Sequence, residues 1–217
     1  MSERTVHTSD VKIGRQGLPG LLATPERPCG LVIFAHGSGS SRLSPRNTYA
    51  ARRLQGFSIA TLLFDLLTET ESADRRNVFD MPLLASRVIE AIAWAHTDER
   101  VSALPIGLFG ASTGAGAALM ATAAVPRGVA AVVSRGGRPD LAGDALERVR
   151  APTLLIVGGD DRDVLALNNA ASARMTCPNK VLIIPGAGHL FEEPGTLEEA
   201  LAAACAWFLK YFSEGRR

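Results

Sequence analysis

Apolar residues in this chain fall in short unbroken runs, separated by polar stretches rich in glycine and proline. Leu31-Val32-Ile33-Phe34-Ala35 is continuously apolar, as expected of a strand buried on both faces. Residues 59–64, 106–109, 129–133, 153–157 and 181–184 repeat the pattern, and residues 11–23 hold two extended pieces bent by Gly14, Gly17, Pro19 and Gly20. Between these runs the period changes. Residues 45–54 read as a helix stopped by Gly56, and Leu84, Val88, Ala91 and Ala95 recur at helical spacing behind Asp80, a candidate cap. Residues 164–175 read as a helix. Thr196 with Glu199 predicts a capping box for a final helix that carries Leu201, Cys205, Phe208 and Phe212 on one face. Residues 68–77 read as a polar loop. Such alternation predicts a single α/β domain over residues 1–217, with a mostly parallel sheet flanked by helices on both faces. The connection 134–150 is too short for a cap domain, so only loops should cover a site.

One junction stands out. Gly110-Ala111-Ser112-Thr113-Gly114 follows the run at 106–109 and precedes Ala115-Gly116-Ala117-Ala118-Leu119. Strand, tight turn and helix with serine at the tip is the pattern of a nucleophile elbow. The small residues around Ser112 suit a sharp turn, and the helix amino terminus favours developing negative charge.

A serine hydroxyl needs a base to take its proton, and histidine is the usual one near neutral pH. His7 lies in the polar amino-terminal stretch and His96 at a helix end, so both read as surface residues. His36 ends a strand, and the glycine after it suggests another role. His189, in the glycine-rich loop after the last strand, belongs at the carboxyl edge of the sheet, where sites of open α/β folds lie. The third member should be a carboxylate that orients the imidazole. Gly158-Gly159-Asp160-Asp161-Arg162-Asp163 offers three. Asp163 reads as a helix N-cap and Asp160 as part of the turn, which leaves Asp161 as first choice with the other two open. The order Ser112, Asp161, His189 is that of α/β-hydrolases.

Preorganised donors should face the oxyanion. The Thr113 amide, following the serine, is one. The Ser38 amide, in His36-Gly37-Ser38-Gly39-Ser40-Ser41-Arg42, is assigned as the other, since small residues there admit close backbone approach. The phosphate-loop pattern GxxxxGK[ST] is absent. Arg42, Arg135 and Arg138 lie in loops predicted to face the site. They are candidates to bind an anionic substrate group, weighed against structural ion pairs with Asp140, Asp144 or a carboxylate of residues 68–74.

Together these residues resemble the α/β-hydrolase superfamily, and the short capless form is similar to the dienelactone hydrolase family, over nearly the whole chain. The segments HGSGSSRLSPRN, FDLLT, RRNVFD and SRGGRPDLAG resemble a subgroup of small hydrolase domains, some of them fused to phosphoribosyltransferase domains. Dienelactone hydrolases proper use cysteine where this elbow has Ser112. The resemblance therefore implies a serine esterase working through an acyl-enzyme, with a thioesterase, an acyltransferase or a non-catalytic binding module as alternatives.

Composition narrows the setting. The 23 basic and 22 acidic residues give a net charge of +1 without charged runs, so nothing points to nucleic acid or a membrane surface. Cys29, Cys177 and Cys205 have no metal-ligand spacing, and the expected chemistry needs no metal or organic cofactor. The sparse odd cysteine count and the polar MSERTVHTSD start fit a cytoplasmic enzyme with a small-molecule ester substrate; the oligomeric state stays open.

Overall fold

The apolar runs become the inner strands of one eight-stranded sheet. The structure, a computed structural model, describes residues 5–214, so the first four residues of the polar amino-terminal stretch lie outside the described residues. The strands are β1 (Val6–Ile13), β2 (Leu18–Pro25), β3 (Gly30–Ala35), β4 (Ile59–Phe64), β5 (Ile106–Ala111), β6 (Ala131–Arg135), β7 (Thr153–Gly158) and β8 (Asn179–Ile184). Their spatial order is β1-β2-β4-β3-β5-β6-β7-β8. β1 and β2 form an antiparallel hairpin that joins β4 antiparallel, and every other pairing is parallel.

The helices are α1 (Pro45–Gln55), α2 (Glu69–Ser72), α3 (Arg75–Val78), α4 (Met81–Thr97), α5 (Thr113–Ala124), α6 (Arg162–Arg174) and α7 (Thr196–Glu214), with a 3-10 segment over Pro139–Arg148. Side chains alternate across the sheet and feed two cores. Leu31, Ile33 and Ala35 of β3 join α4 and α5 on one face. Val32 and Phe34 join α1 and α7 on the other, where Phe34 stacks on Phe109. Strands covered on both faces must be apolar throughout, which is why these runs are continuous. The order reverses beside β3, because β4 lies on one side of it and β5 on the other. The loops after β3 and β5 therefore part at the carboxyl edge and open a crevice.

Three local expectations are corrected. Residues 68–77 are not a plain loop: Thr68 and Glu71 form a capping box for α2, and Asp74 caps α3. Four-residue helices show no hydrophobic period, so only their caps could have revealed them. The N-cap position of α6 is Asp161, while Asp163 lies within the first turn. At α7 the Thr196 hydroxyl donates to Glu193 O at 2.7 Å and the Glu199 amide to Gly195 O, so the expected box is absent. Asp80 does cap α4, accepting from the Leu83 amide at 3.0 Å.

The elbow depends on missing side chains. A Cβ on Gly114 would lie 2.1 Å from Ala35 O and 2.5 Å from His36 O, and one on Gly110 would lie 2.5 Å from Ala115 Cα. Both neighbours are backbone and cannot rotate away. Gly114→Ala should therefore cost at least about 2 kcal/mol, at or beyond the usual range for overpacking. Urea denaturation checks this, against Ala124→Ser at the exposed end of the same helix.

Candidate active site

Ser112 closes β5 and opens α5 with φ 50° and ψ −126°, a left-handed φ that side-chain-bearing residues rarely adopt. Such a conformation costs on the order of 1–3 kcal/mol and persists only where the surroundings impose it. Here its carbonyl accepts the amides of Ala115 (3.1 Å) and Arg138 (3.0 Å). Gly37 presses against the serine from the β3 loop, where a Cβ would lie 3.0 Å from Ser112 Cβ.

His189 and Asp161 meet. Imidazole Nδ1 lies 2.7 Å from Asp161 Oδ2, which leaves Nε2 as the free ring nitrogen. Asp161 occupies the N-cap position of α6 yet makes no capping hydrogen bond, because its carboxylate is turned to the imidazole. The two loops are stitched together by backbone bonds from Gly159 N to Ile184 O (2.8 Å) and from Asp160 N to Ala187 O (3.0 Å), so Asp160 contributes to the turn through its amide. Gly136, after β6, places both ends of the site side by side. A Cβ on it would lie 2.9 Å from His189 O, and the residue before it accepts the Ser112 amide. No hydrogen bond joins Ser112 Oγ to His189 among the described residues.

On the other side of Ser112, the Ser38 amide donates to the Thr113 hydroxyl at 2.8 Å. The residue chosen as a backbone donor thus also supplies a side-chain acceptor to its partner, a contact the sequence pattern does not disclose. His36 holds the base of this loop: Nε2 accepts the Leu66 amide at 3.1 Å and Nδ1 faces Gly37 O at 3.0 Å. That pattern requires a neutral ring protonated on Nδ1. A cleft of about 520 Å³ opens beside it, lined by Ser38, Arg42, Leu66, Thr68, Val78 and Thr113 among others, and it reaches neither Ser112 nor His189.

The three arginines differ. Arg42 is paired with Asp65 through both its amide and its guanidinium. Arg138 grips Asp140 through Nε (2.8 Å) and Nη2 (2.7 Å), one of the ion pairs considered from sequence. Arg135 is buried, and its Nε and Nη1 have no hydrogen-bond partner.

A family model described as an alpha/beta hydrolase domain matches residues 28–212. The chain belongs to the alpha/beta hydrolase family. This hydrolase is 49% identical in sequence to a dienelactone hydrolase from Anabaena variabilis, with a TM-score of 0.92 over 96% of this chain and 99% of that one. Est1E from Butyrivibrio proteoclasticus, at 16% identity and TM-score 0.80 over 94% of this chain and 99% of that one, shares the fold. Two Mycobacterium tuberculosis proteins bearing the name phosphoribosyl transferase are 57% identical over 201 residues. Those residues are 93% of this hydrolase but 45% of each relative, so the chain spans under half their length. Among the described residues, no helix is long and apolar enough to cross a membrane.

Burial holds the His36 pKa below its ordinary value of 6.5, outweighing the hydrogen bond to the Gly37 carbonyl and the charge of Asp65, which both raise it. A histidine with a depressed folded pKa binds more protons unfolded than folded as pH falls below about 6.5. Its contribution to stability is complete above that pH and is lost progressively on acidification. His36→Gln, which keeps an acceptor but cannot titrate, should flatten the acid limb in denaturation midpoints measured from pH 7.5 to 5.

Proposed function

We propose that this hydrolase cleaves carboxylic esters through an acyl-enzyme, with Ser112 as nucleophile, His189 as general base and acid, and Asp161 as the orienting carboxylate. The observation that carries this reading is the 2.7 Å contact of Asp161 with His189 Nδ1, on loops adjoining a serine held at positive φ. Aspartate at Nδ1 fixes the tautomer that presents Nε2 as acceptor, and it stabilises the imidazolium once a proton arrives. Ser112 Oγ attacks the ester carbonyl as its proton passes to His189 Nε2. The contact between those groups tightens when substrate fills the gap, as is common for nucleophile and base.

Negative charge then develops on the former carbonyl oxygen. The Thr113 amide, at the amino terminus of α5, is one donor to it. The Ser38 amide is the other, exchanging its bond to the Thr113 hydroxyl for one to the oxyanion. Collapse of the tetrahedral intermediate expels the alcohol, which takes the proton from His189. Water, deprotonated by the same imidazole, attacks the acyl-enzyme and releases the acid. Thioesters and acyl transfer to another alcohol would use the same groups, and the oxygen ester is the simplest substrate they serve.

Ser112→Ala should keep the fold and lower turnover of a 4-nitrophenyl ester by about 10⁴-fold or more. It should also abolish labelling by a fluorophosphonate. A folded variant with most of its activity would exclude Ser112 as nucleophile, and an unlabelled wild-type protein would favour a binding module.

Three aspartates share the acid loop, and only one touches the imidazole. Asp161→Asn should cost about a hundredfold or more in kcat, by releasing the tautomer. Asp160→Asn and Asp163→Asn should stay within a few fold. Steady-state kinetics of the three variants decide the assignment, since a larger loss at either neighbour would move it there.

A further inference from the structure

Asn168 lies in the middle of α6, on the inward stripe it forms with Val164 and Ala171, and it has no exposure to solvent. Its Nδ2 donates both protons, to Val164 O one turn back (2.8 Å) and to Gly137 O in the loop after β6 (2.9 Å). Oδ1 is buried and makes no hydrogen bond. The amide cannot be turned round, since Oδ1 would then face two carbonyl oxygens. An apolar residue on this stripe would avoid burying an unmet acceptor, a cost comparable to what one hydrogen bond contributes. Packing alone therefore does not select asparagine here. What it adds is the link to Gly137.

That link reaches the loop that holds the nucleophile. Residues 135–138 grip Ser112 from both sides: the Ser112 amide donates to Arg135 O (3.4 Å), and the Arg138 amide donates to Ser112 O (3.0 Å). Between them, Gly136 packs against His189 O, and Gly137 is wedged so tightly that a Cβ would collide with Ser134 Oγ and lie 2.6 Å from Ala115 Cβ in the first turn of α5. Among the described residues, Asn168 makes the only side-chain hydrogen bond to the backbone of this loop. The helix it belongs to begins at Asp161, about two turns away, and Asp161 holds His189. One amide thus joins the helix that aims the base to the loop that carries the serine.

We infer that Asn168 is a positioning residue of this active site: through Gly137 it sets the separation between Ser112 Oγ and His189 Nε2. The inference rests on the esterase reading above. Asn168 touches neither reacting group, so its effect falls on the alignment of nucleophile and base and leaves the Asp161–His189 contact intact. Small misplacements made far from the reacting atoms are costly because attack requires near-contact geometry.

The test uses Asn168→Thr, whose hydroxyl still bonds the carbonyl one turn back but is too short to reach Gly137. Asn168→Leu, which keeps the branched skeleton without a donor, serves as the second variant should the first not fold. Competent sites are counted by the end-point of fluorophosphonate labelling, and all rates are expressed per labelled site. Turnover of 4-nitrophenyl acetate should fall about 10- to 100-fold in kcat, with KM within about twofold, and the rate of fluorophosphonate labelling should fall in parallel. The midpoint of the acid limb of kcat/KM should stay at its wild-type pH, because the imidazole keeps its carboxylate. Ala171→Gly weakens the same helix without removing the bond to Gly137, and it should lower the unfolding midpoint while kcat per labelled site holds. A lowered unfolding midpoint with wild-type kcat per labelled site in the Asn168 variants would make Asn168 a strut of the fold alone and overturn the inference. So would an acid limb displaced as it is in Asp161→Asn. In both cases hydrolysis still dependent on Ser112 leaves the esterase standing. Hydrolysis that survives Ser112→Ala overturns the esterase reading, and the positioning role falls with it.

Discussion

The arrangement around Ser112 depends on backbone packed against backbone. α5 begins so close to the end of β3 that no side chain fits at Gly114, and it turns so tightly from β5 that none fits at Gly110. Those two contacts hold Ser112 at positive φ and set the amino terminus of α5 beneath it. The close approach of Gly37 to Ser112 depends on that placement, at the crevice that the strand order opens beside β3. Close packing of this kind has almost no tolerance for added volume, whereas the polar contacts nearby are adjustable.

Electrostatics divides the site into two unlike sides. Toward α4, charge is neutralised locally: Arg42 with Asp65, Glu71 with Arg87, and a neutral His36 between the β3 and β4 loops. Toward α7, Arg135 is buried without a counter-charge, and Arg46 is balanced by Glu192 nearer the surface.

Most of the scaffold was legible in the sequence because its signals are local. Strands buried on both faces must be apolar at every position, and the elbow requires small residues at fixed offsets around its serine. The misses are also physical. α2 and α3 are too short for a hydrophobic period. Asp161 and Asp163 differ by half a helical turn, and composition cannot say which one opens α6 when the residue at the cap turns its carboxylate elsewhere. β6 extends two residues past its apolar run, so Arg135 read as a loop residue while in fact it ends a buried strand. The Thr113 hydroxyl bonding the Ser38 amide joins residues 75 apart, and no pattern within either segment encodes it.

The stitching of the two edge loops has a mechanical consequence. β8 is the edge strand on the parallel side of the sheet and the least covered of the parallel strands. Its loop is tied to that of β7 by two backbone bonds and by the imidazole–carboxylate contact, whereas it meets the end of β6 only by packing, through Gly136 and through Phe191 beside Arg135. These ties couple His189 to Asp161, so a displacement of the sheet margin would carry the two together. The separation left without a direct tie is then the one between His189 Nε2 and Ser112 Oγ.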